Sequence, residues 1–476
     1  MTVVLRDRSD ITVDAVRRVA WQGEDVRVHP DALERIGACR HSFMELIESD
    51  ADITIYGVTT GMGEEASVKL SPEERKAQAA RPLLAGASFG RPLPERVVRA
   101  IVLARLANFL GGNAAARPEL VEAVAAMLDG RSLPEVPVQG NGGAGEILAL
   151  GHLFAALAER VGTEEKEALA LINGSPCAAA LVADAALAGR NRLRLAHLAF
   201  ALSAEAIRAP LEAYASELEE LWGDEHETAA LRTLRALLEG AGGERRPYQA
   251  PVSYRILPRV LAEAHRALAG VEQAAKISLP SVSDNPVYVL PDADNPLGRV
   301  WSTGGYHNGM AYPALDGLAA AWANLCQLAE RHVERLADEG LLVRPGTRGY
   351  AGILLMPIVG YAEEARAAAQ ATILPRGGYP QNDVTAPSFL AWEREEAAAA
   401  ALEACLAILA ACASQALCAS DRDSPPPLRD FLAEIRELFP PVDDPRTLGP
   451  EAGRLVAAFR ERVFAPAETR PLETVP

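Results

Sequence analysis

Gly140-Asn141-Gly142-Gly143-Ala144-Gly145 has the spacing Gly-x-Gly-x-x-Gly, which in a dinucleotide-binding unit lets the backbone approach a pyrophosphate. That chemistry needs a parallel strand before the loop. The residues there, Pro134-Glu135-Val136-Pro137-Val138-Gln139, carry two prolines, and no later strand ending in an acidic residue follows. A dinucleotide enzyme would bind NAD or FAD saturably; the context argues against it. A second loop, Ile55-Tyr56-Gly57-Val58-Thr59-Thr60-Gly61-Met62-Gly63, holds three glycines in seven residues, so its backbone needs positive φ or a close neighbour. A tyrosine in such a turn is more often a packed ring with a bonded hydroxyl than a base, and an arginine such as Arg255 is more often a salt-bridge partner. His307 suits an acid, a base or a structural donor near neutrality. His152, on an apolar helical face, reads as a satisfied core histidine.

Long helices must position these loops. The 476 residues are half apolar, only 5% aromatic and rich in Ala and Leu, which favours packed helices over sheets. An all-α protein is expected. Apolar spacing predicts helices over 30–48, 94–110, 118–128, 146–160, 258–276, 312–339 and 386–419. The last two exceed the usual globular length and imply a long bundle that buries surface against other copies of itself. Proline-rich breaks at Pro425-Pro426-Pro427 and Pro440-Pro441 suggest three consecutive parts: 1–200 with the loops, 201–422 as the long-helix bundle, and 423–476.

A net charge of -17 repels polyanions and disfavours nucleic acid and anionic membrane as partners. The stretch 397–419 is long and apolar enough to span a bilayer, yet it contains Glu403 and follows Glu393-Arg394-Glu395-Glu396, so a central bundle helix is expected. Six scattered cysteines show neither metal-site spacing nor a disulfide framework. No metal is expected. The first ten residues lack a signal-peptide profile, and a cytoplasmic location is expected.

Several loops, taken in order, resemble the aromatic amino acid lyase family of histidine, phenylalanine and tyrosine ammonia-lyases. Tyr56 to Gly63 resembles its Tyr-Gly-x-Asn-Thr-Gly-x-Gly, with Thr59 for the Asn. Gly143-Ala144-Gly145-Glu146-Ile147 and His152 fall in the frame of its Ala-Ser-Gly-Asp-Leu and following His. Leu169-Ala170-Leu171-Ile172-Asn173-Gly174-Ser175 is similar to Leu-Ala-Leu-x-Asn-Gly-Thr, and Gln249-Ala250-Pro251-Val252-Ser253-Tyr254-Arg255 to Gln-Asp-x-Tyr-Ser-x-Arg. Ser283-Asp284-Asn285-Pro286 resembles the Asp-Asn-Pro segment. Gly304-Gly305-Tyr306-His307-Asn308-Gly309 stands where Gly-Gly-Asn-Phe-His-Gly is expected, with Asp316 and Glu330-Arg331 after it. The departures are Val252 for a Tyr, Gly86 for a His in Leu84-Ala85-Gly86-Ala87-Ser88, and Arg366 near a glutamate position. Pro380-Gln381-Asn382-Asp383 resembles a Gln-Glu-Asp segment without its Glu.

The resemblance implies a long central bundle of the fumarase/aspartase-like type with a loop-rich N-terminal active-site region. It implies a homotetramer whose sites draw loops from three subunits. In the family the Ala-Ser-Gly tripeptide cyclises and dehydrates to a methylidene-imidazolone, whose electrophilic methylene is the serine Cβ. Ala144 has no β-hydroxyl to eliminate, so this prosthetic group is not expected and no other cofactor is implied. The resemblance assigns Tyr56 as the base, Arg255 as the carboxylate-binding group, and Asn173 and Gln249 as polar groups beside the electrophile and the amine. Tyr306 and His307 are further candidate catalytic groups and Asn308 a candidate substrate contact, and the three make that wall of the pocket more polar.

Without the electrophile, deamination of free His, Phe or Tyr should fail, because their Cβ protons are hardly acidic and the amine leaves poorly. Two functions remain. One is an enzyme that uses Tyr56 on a small-molecule or thioester-linked substrate with an activated α-proton, catalysing elimination, conjugate addition, cyclisation or isomerisation. The other is a non-catalytic homologue that binds a small molecule or partners an active paralogue. Tyr56→Phe separates them.

Overall fold

A proline at the first helical position supplies the φ that a helix start requires. Pro30–Ser49 begins this way, with His29 Nδ1 accepting the Asp31 amide at 3.3 Å. Its apolar stripe buries Ile36, Phe43 and Ile47 and leaves Leu33 and Leu46 half-buried at the edge. Phe43 meets Tyr288 edge-on, ring centroids 5.5 Å apart, and the two join Ile55, Val58 and Ala115 in one apolar cluster. Both flanks of Tyr56 are thereby anchored.

The computed structural model describes residues 2–50, 52–130, 132–379 and 382–465. The other expected helices occur as Glu95–Leu110, Pro118–Ala125 with a tight extension Ala126–Leu128, Ile147–Val161, Leu257–Ser278, Ala311–Asp338 and Ser388–Ala419. Among the described residues, strands form only two-stranded pieces. Thr2–Leu5 pairs in parallel with Asp25–Val28, while Val287–Val289 with Arg299–Trp301 and Arg376–Tyr379 with Asn382–Val384 are antiparallel. The all-α class holds. Pro176–Ala206, 31 residues long, was not expected as a helix. It is buried on nearly every side, so its sequence has no apolar stripe set against a polar one.

Contacts divide the chain into two units: Met1–Ala185, Val271–Ala314 and Thr372–Glu393 form the first, and Ala186–Gly270, Leu315–Ala371 and Arg394–Pro476 the second. This differs from three consecutive parts at 1–200, 201–422 and 423–476. Four of the five boundaries fall inside helices of 22 to 32 residues, and the fifth, after Ala371, falls in the loop beyond Leu355–Ala368, so proline breaks do not mark them. The C-terminal helices Arg429–Leu438 and Gly449–Phe464 belong to the second unit and meet through stacked Phe431 and Phe459.

In the second unit, buried Arg192 donates from Nε to Glu403 at 2.9 Å and from NH2 to Glu396 at 3.0 Å. Trp322 Nε1 donates to Glu395 at 2.8 Å, so three helices share one buried polar knot. Glu403 therefore has a partner inside the bundle. The apolar window of Ser388–Ala419 is 89% buried within the protein, as expected for a bundle helix.

The same unit buries His265 and His332. Desolvation pushes His265 down to about 4 and His332 to about 3, whereas an unfolded imidazole titrates near 6.5. Between those values the unfolded chain holds protons that the native chain does not, so stability falls as pH drops. Each group contributes a slope of about 1.4 kcal/mol per pH unit. Thermal unfolding followed from about pH 7 to about pH 4.5 should show a steep loss of Tm below about 6.5; a flat profile would contradict this.

Candidate active site

Loop 55–63 is a closed turn. Ile55 O accepts the amides of Val58, Thr59 and Thr60 at 3.0 to 3.2 Å. Thr59 Oγ1 accepts from Ile55 N at 2.7 Å and donates to Ile53 O at 2.8 Å, so a hydroxyl ties the loop where the family motif has an amide. Gln78 Nε2 donates to Gly57 O and Thr60 O. Tyr56 is half-buried, and its hydroxyl accepts from Gly63 N at 3.1 Å. That amide points at the oxygen that bears charge once the phenol proton has gone. Among the described residues the hydroxyl donates to no acceptor.

Gly57 has φ +65°, and a Cβ there would lie 2.3 Å from Leu169 Cδ1. The turn thus presses directly on Glu167–Ile172, the helix that ends at Asn173. Asn173 Nδ2 donates to Asn285 O at 2.9 Å, and its own carbonyl accepts from Arg105 NH1. Asn285 Oδ1 in turn accepts from Thr303 N at 2.8 Å, fixing the approach to Tyr306.

The tripeptide closes this side of the site. Gly145 has φ +67° and Glu146 φ +59°, two successive left-handed residues. A Cβ on Gly145 would sit 2.5 Å from Asn173 Oδ1 and 3.2 Å from Tyr306 Cβ. Gly145, Asn173 and Tyr306, far apart in sequence, therefore meet. Gly145→Ala should cost about 1–3 kcal/mol from the left-handed φ and the clash together; urea unfolding would read it, and an unchanged midpoint would contradict the packing. Ala144 is buried and carries no hydroxyl. These residues do not fit a group made by dehydrating a serine.

Glu146 was not singled out from sequence. Its Oε2 accepts from Cys177 N at 2.6 Å and its Oε1 from Ala178 N at 2.7 Å, which caps the first turn of Pro176–Ala206. Burial pushes its carboxyl up to about 7, against the pull of those two amides. Lys166 was missed as well. Its Nζ donates to Asp284 Oδ2 at 2.5 Å with both side chains fully buried, and Asp284 Oδ1 accepts from Asn285 N. Only the Ser283-Asp284-Asn285-Pro286 motif hinted at this pair, since its halves are 118 residues apart.

Two expectations change. Asn308, expected to bind substrate, has both ends of its amide engaged: Nδ2 donates to Ser278 Oγ at 2.8 Å, and Oδ1 accepts from Met310 and Ala311 at the start of Ala311–Asp338. It caps a helix. His152 is not satisfied, because its Nε2 is buried without a hydrogen-bond partner among the described residues. Its backbone and ring lie so close to Gly86 that a Cβ on Gly86 would stand 3.1 Å from His152 Nδ1. Arg366 pairs with Glu363 one turn away on an exposed face. Pro380 and Gln381 lie outside the described residues, and Asn382 and Asp383 begin the strand Asn382–Val384.

His307 is half-buried, edge-on to Tyr312 with centroids 6.3 Å apart, and its ring nitrogens have no hydrogen bond among the described residues. Tyr56, Gly143, Ala144, Gly145, Asn173, Tyr306, His307 and Asn308 all belong to the first unit, and Gln249 and Arg255 to the second. Gln249 and Arg255 are exposed on that unit. Arg255 Nε donates to Ala250 O at 3.0 Å, and its terminal amino groups remain available among the described residues.

The model of the family described as aromatic amino acid lyase matches residues 11–161 and 158–437. A histidine ammonia-lyase of Symbiobacterium thermophilum is 30% identical over 96% of this chain and 98% of its own. A tyrosine aminomutase structure from Streptomyces globisporus superposes with TM-score 0.85 at 23% identity, covering 98% of both chains. The ergothioneine-degrading enzyme ergothionase of Treponema denticola, in complex with desmethyl-ergothioneine sulfonic acid, superposes at 0.86 with 17% identity, covering 98% of this chain and all of its own. With family motifs matched along most of its length and the site loops in place, this chain belongs to the aromatic amino acid lyase family.

Proposed function

We propose that this chain is a family enzyme working without the methylidene-imidazolone, with Tyr56 as base on a small-molecule or thioester-linked substrate whose α-proton is acidified by a carbonyl. The observation that carries the reading is Ala144, set in a tripeptide whose neighbours Gly145, Asn173 and Tyr306 are still closely packed. Tyr56 Oη, once its own proton has passed to solvent, takes the α-proton as the phenolate, and the electron pair moves into the carbonyl. Asn173 stabilises that oxygen, while Arg255 and Gln249, on the other unit, are the candidate groups for an anionic and a polar ligand group. His307, with both ring nitrogens available, delivers or accepts the second proton during elimination, conjugate addition, cyclisation or isomerisation. The relatives are named for histidine, tyrosine and ergothioneine, which accords with one scaffold serving several substrates. We place the protein in the cytoplasm as a homotetramer.

The competing reading, a non-catalytic homologue, draws on the bond from Gly63 N to Tyr56, which suits a packed ring. The test is deuterium incorporation at the α-carbon of simple β-hydroxyacyl thioesters in heavy water, followed by NMR. Exchange above the buffer rate supports the enzyme. Its absence across the panel favours the non-catalytic homologue.

A further inference from the structure

Arg255 ends a single helical turn, Val252–Arg255, too short to hold its own shape. Behind it in the same unit lie three fully buried polar side chains, Ser203, Tyr254 and His332, none of which is used in the reaction proposed above. His332 Nε2 lies 3.1 Å from Ser253 O, and its Nδ1 lies 3.1 Å from Ser203 Oγ. Ser203 Oγ is 3.2 Å from the Tyr254 hydroxyl. A carbonyl oxygen can only accept, so Nε2 carries the proton and donates to Ser253. Nδ1 then has a lone pair and accepts from the Ser203 hydroxyl; the single Tyr254 phenol proton is shared between Ser203 Oγ and the His332 backbone carbonyl, 3.3 Å away, and either bond ties Tyr254 into the group. The imidazole is stacked on the Tyr254 ring, centroids 3.6 Å apart at 21°, and Phe200 meets it edge-on at 5.1 Å. Tyr214 Oη donates to Tyr254 O at 2.9 Å and closes the far side.

We infer that Tyr254, Ser203 and His332 form a closed hydrogen-bond circuit that positions Arg255, by fixing the carbonyl and the ring of the two residues before it. His332 is thus a positioning residue for anion binding. The circuit starts at Tyr254 and returns to Ser253, so it locks a turn that its own backbone bonds cannot. Burial keeps the imidazole neutral well below neutral pH, which preserves the tautomer that the circuit needs. The effect on ligand binding rests on the reading of Arg255 as the carboxylate-binding group; the effect on the turn does not.

Two amide variants separate the halves of the circuit. In His332→Gln the amide reaches the Nε2 position and can still donate to Ser253 O; in His332→Asn it stays at the Nδ1 position and serves only Ser203. Hydrogen exchange of the peptide spanning 249–256 in the full-length protein should rise about tenfold or more in His332→Leu and His332→Asn, and stay near wild type in His332→Gln. Equal exchange in all four proteins would overturn the circuit, as would a rise in Gln equal to that in Leu.

Cinnamate and cinnamyl alcohol serve as charged and neutral probes of binding. Cinnamate affinity should fall about tenfold in His332→Leu and Arg255→Ala, and recover in His332→Gln, with the alcohol unaffected. If exchange rises as expected but Arg255→Ala, or the wild type itself, shows no carboxylate preference, the assignment of Arg255 falls while the circuit stands. If Arg255→Ala loses cinnamate and His332→Leu does not, the positioning role is overturned.

Discussion

Lys166→Met is expected to destabilise the protein by about 3–5 kcal/mol, a large share of the total stability of a folded chain. The cause is the partner left behind. Lys166 and Asp284 are both without solvent exposure, 2.5 Å apart. Burial pushes the Lys166 amine down, and the Asp284 carboxylate pulls it back up. Methionine fills the lysine's volume but leaves the buried carboxylate without its ion-pair partner, with buried Arg105 as the remaining cation within electrostatic reach. Asp284 also accepts from Asn285 N, and Asn285 holds both Asn173 and Thr303, so the loss should spread to the site. Lys166→Met with Asp284→Leu removes both charges and should regain most of the stability. Urea midpoints of the three proteins measure this; a single variant as stable as wild type would contradict the buried pair.

Tyr56→Phe is expected to lower α-proton exchange on the thioester panel by about 10²–10⁴-fold, the usual contribution of one positioned acid or base. The substitution removes one oxygen and keeps the ring. Ile55 and Val58, buried on either side, hold the turn through apolar contacts that phenylalanine does not disturb. The cost to stability should be limited to the bond from Gly63 N, about 0.5–1.5 kcal/mol. A large loss of exchange with a small loss of stability marks a base. The reverse pattern would mark a packed ring.

How much was visible in the sequence depended on the range of the interaction. Apolar spacing located Pro30–Ser49 and Ala311–Asp338, each with one face toward solvent, but not Glu225–Leu237, which has such a face as well. The same signal vanished in Pro176–Ala206, where nearly all faces are buried. The glycines at 57 and 145 were legible as places of special backbone, but their neighbours, Leu169 for one and Asn173 with Tyr306 for the other, were not. Motif order located Tyr56, Asn173 and the tripeptide. It could not reveal that Glu146 caps a helix starting 30 residues later, or that Lys166 is neutralised by Asp284. Asn308 shows the opposite error: an amide beside a candidate site was read as a ligand contact, whereas the start of Ala311–Asp338 claims its oxygen. His152 went the same way, because an apolar helical face says nothing about whether a partner waits there.

The most direct test of the central claim is ammonia release from histidine, phenylalanine and tyrosine by the purified protein, with Tyr56→Phe as control and the intact mass recorded alongside. No ammonia from either protein, and a mass equal to the unmodified sequence, is the predicted result, because Ala144 has no hydroxyl to eliminate. Ammonia from the wild type but not the control, with a mass below that of the unmodified sequence, would contradict the account and show that an electrophile forms without a serine at position 144.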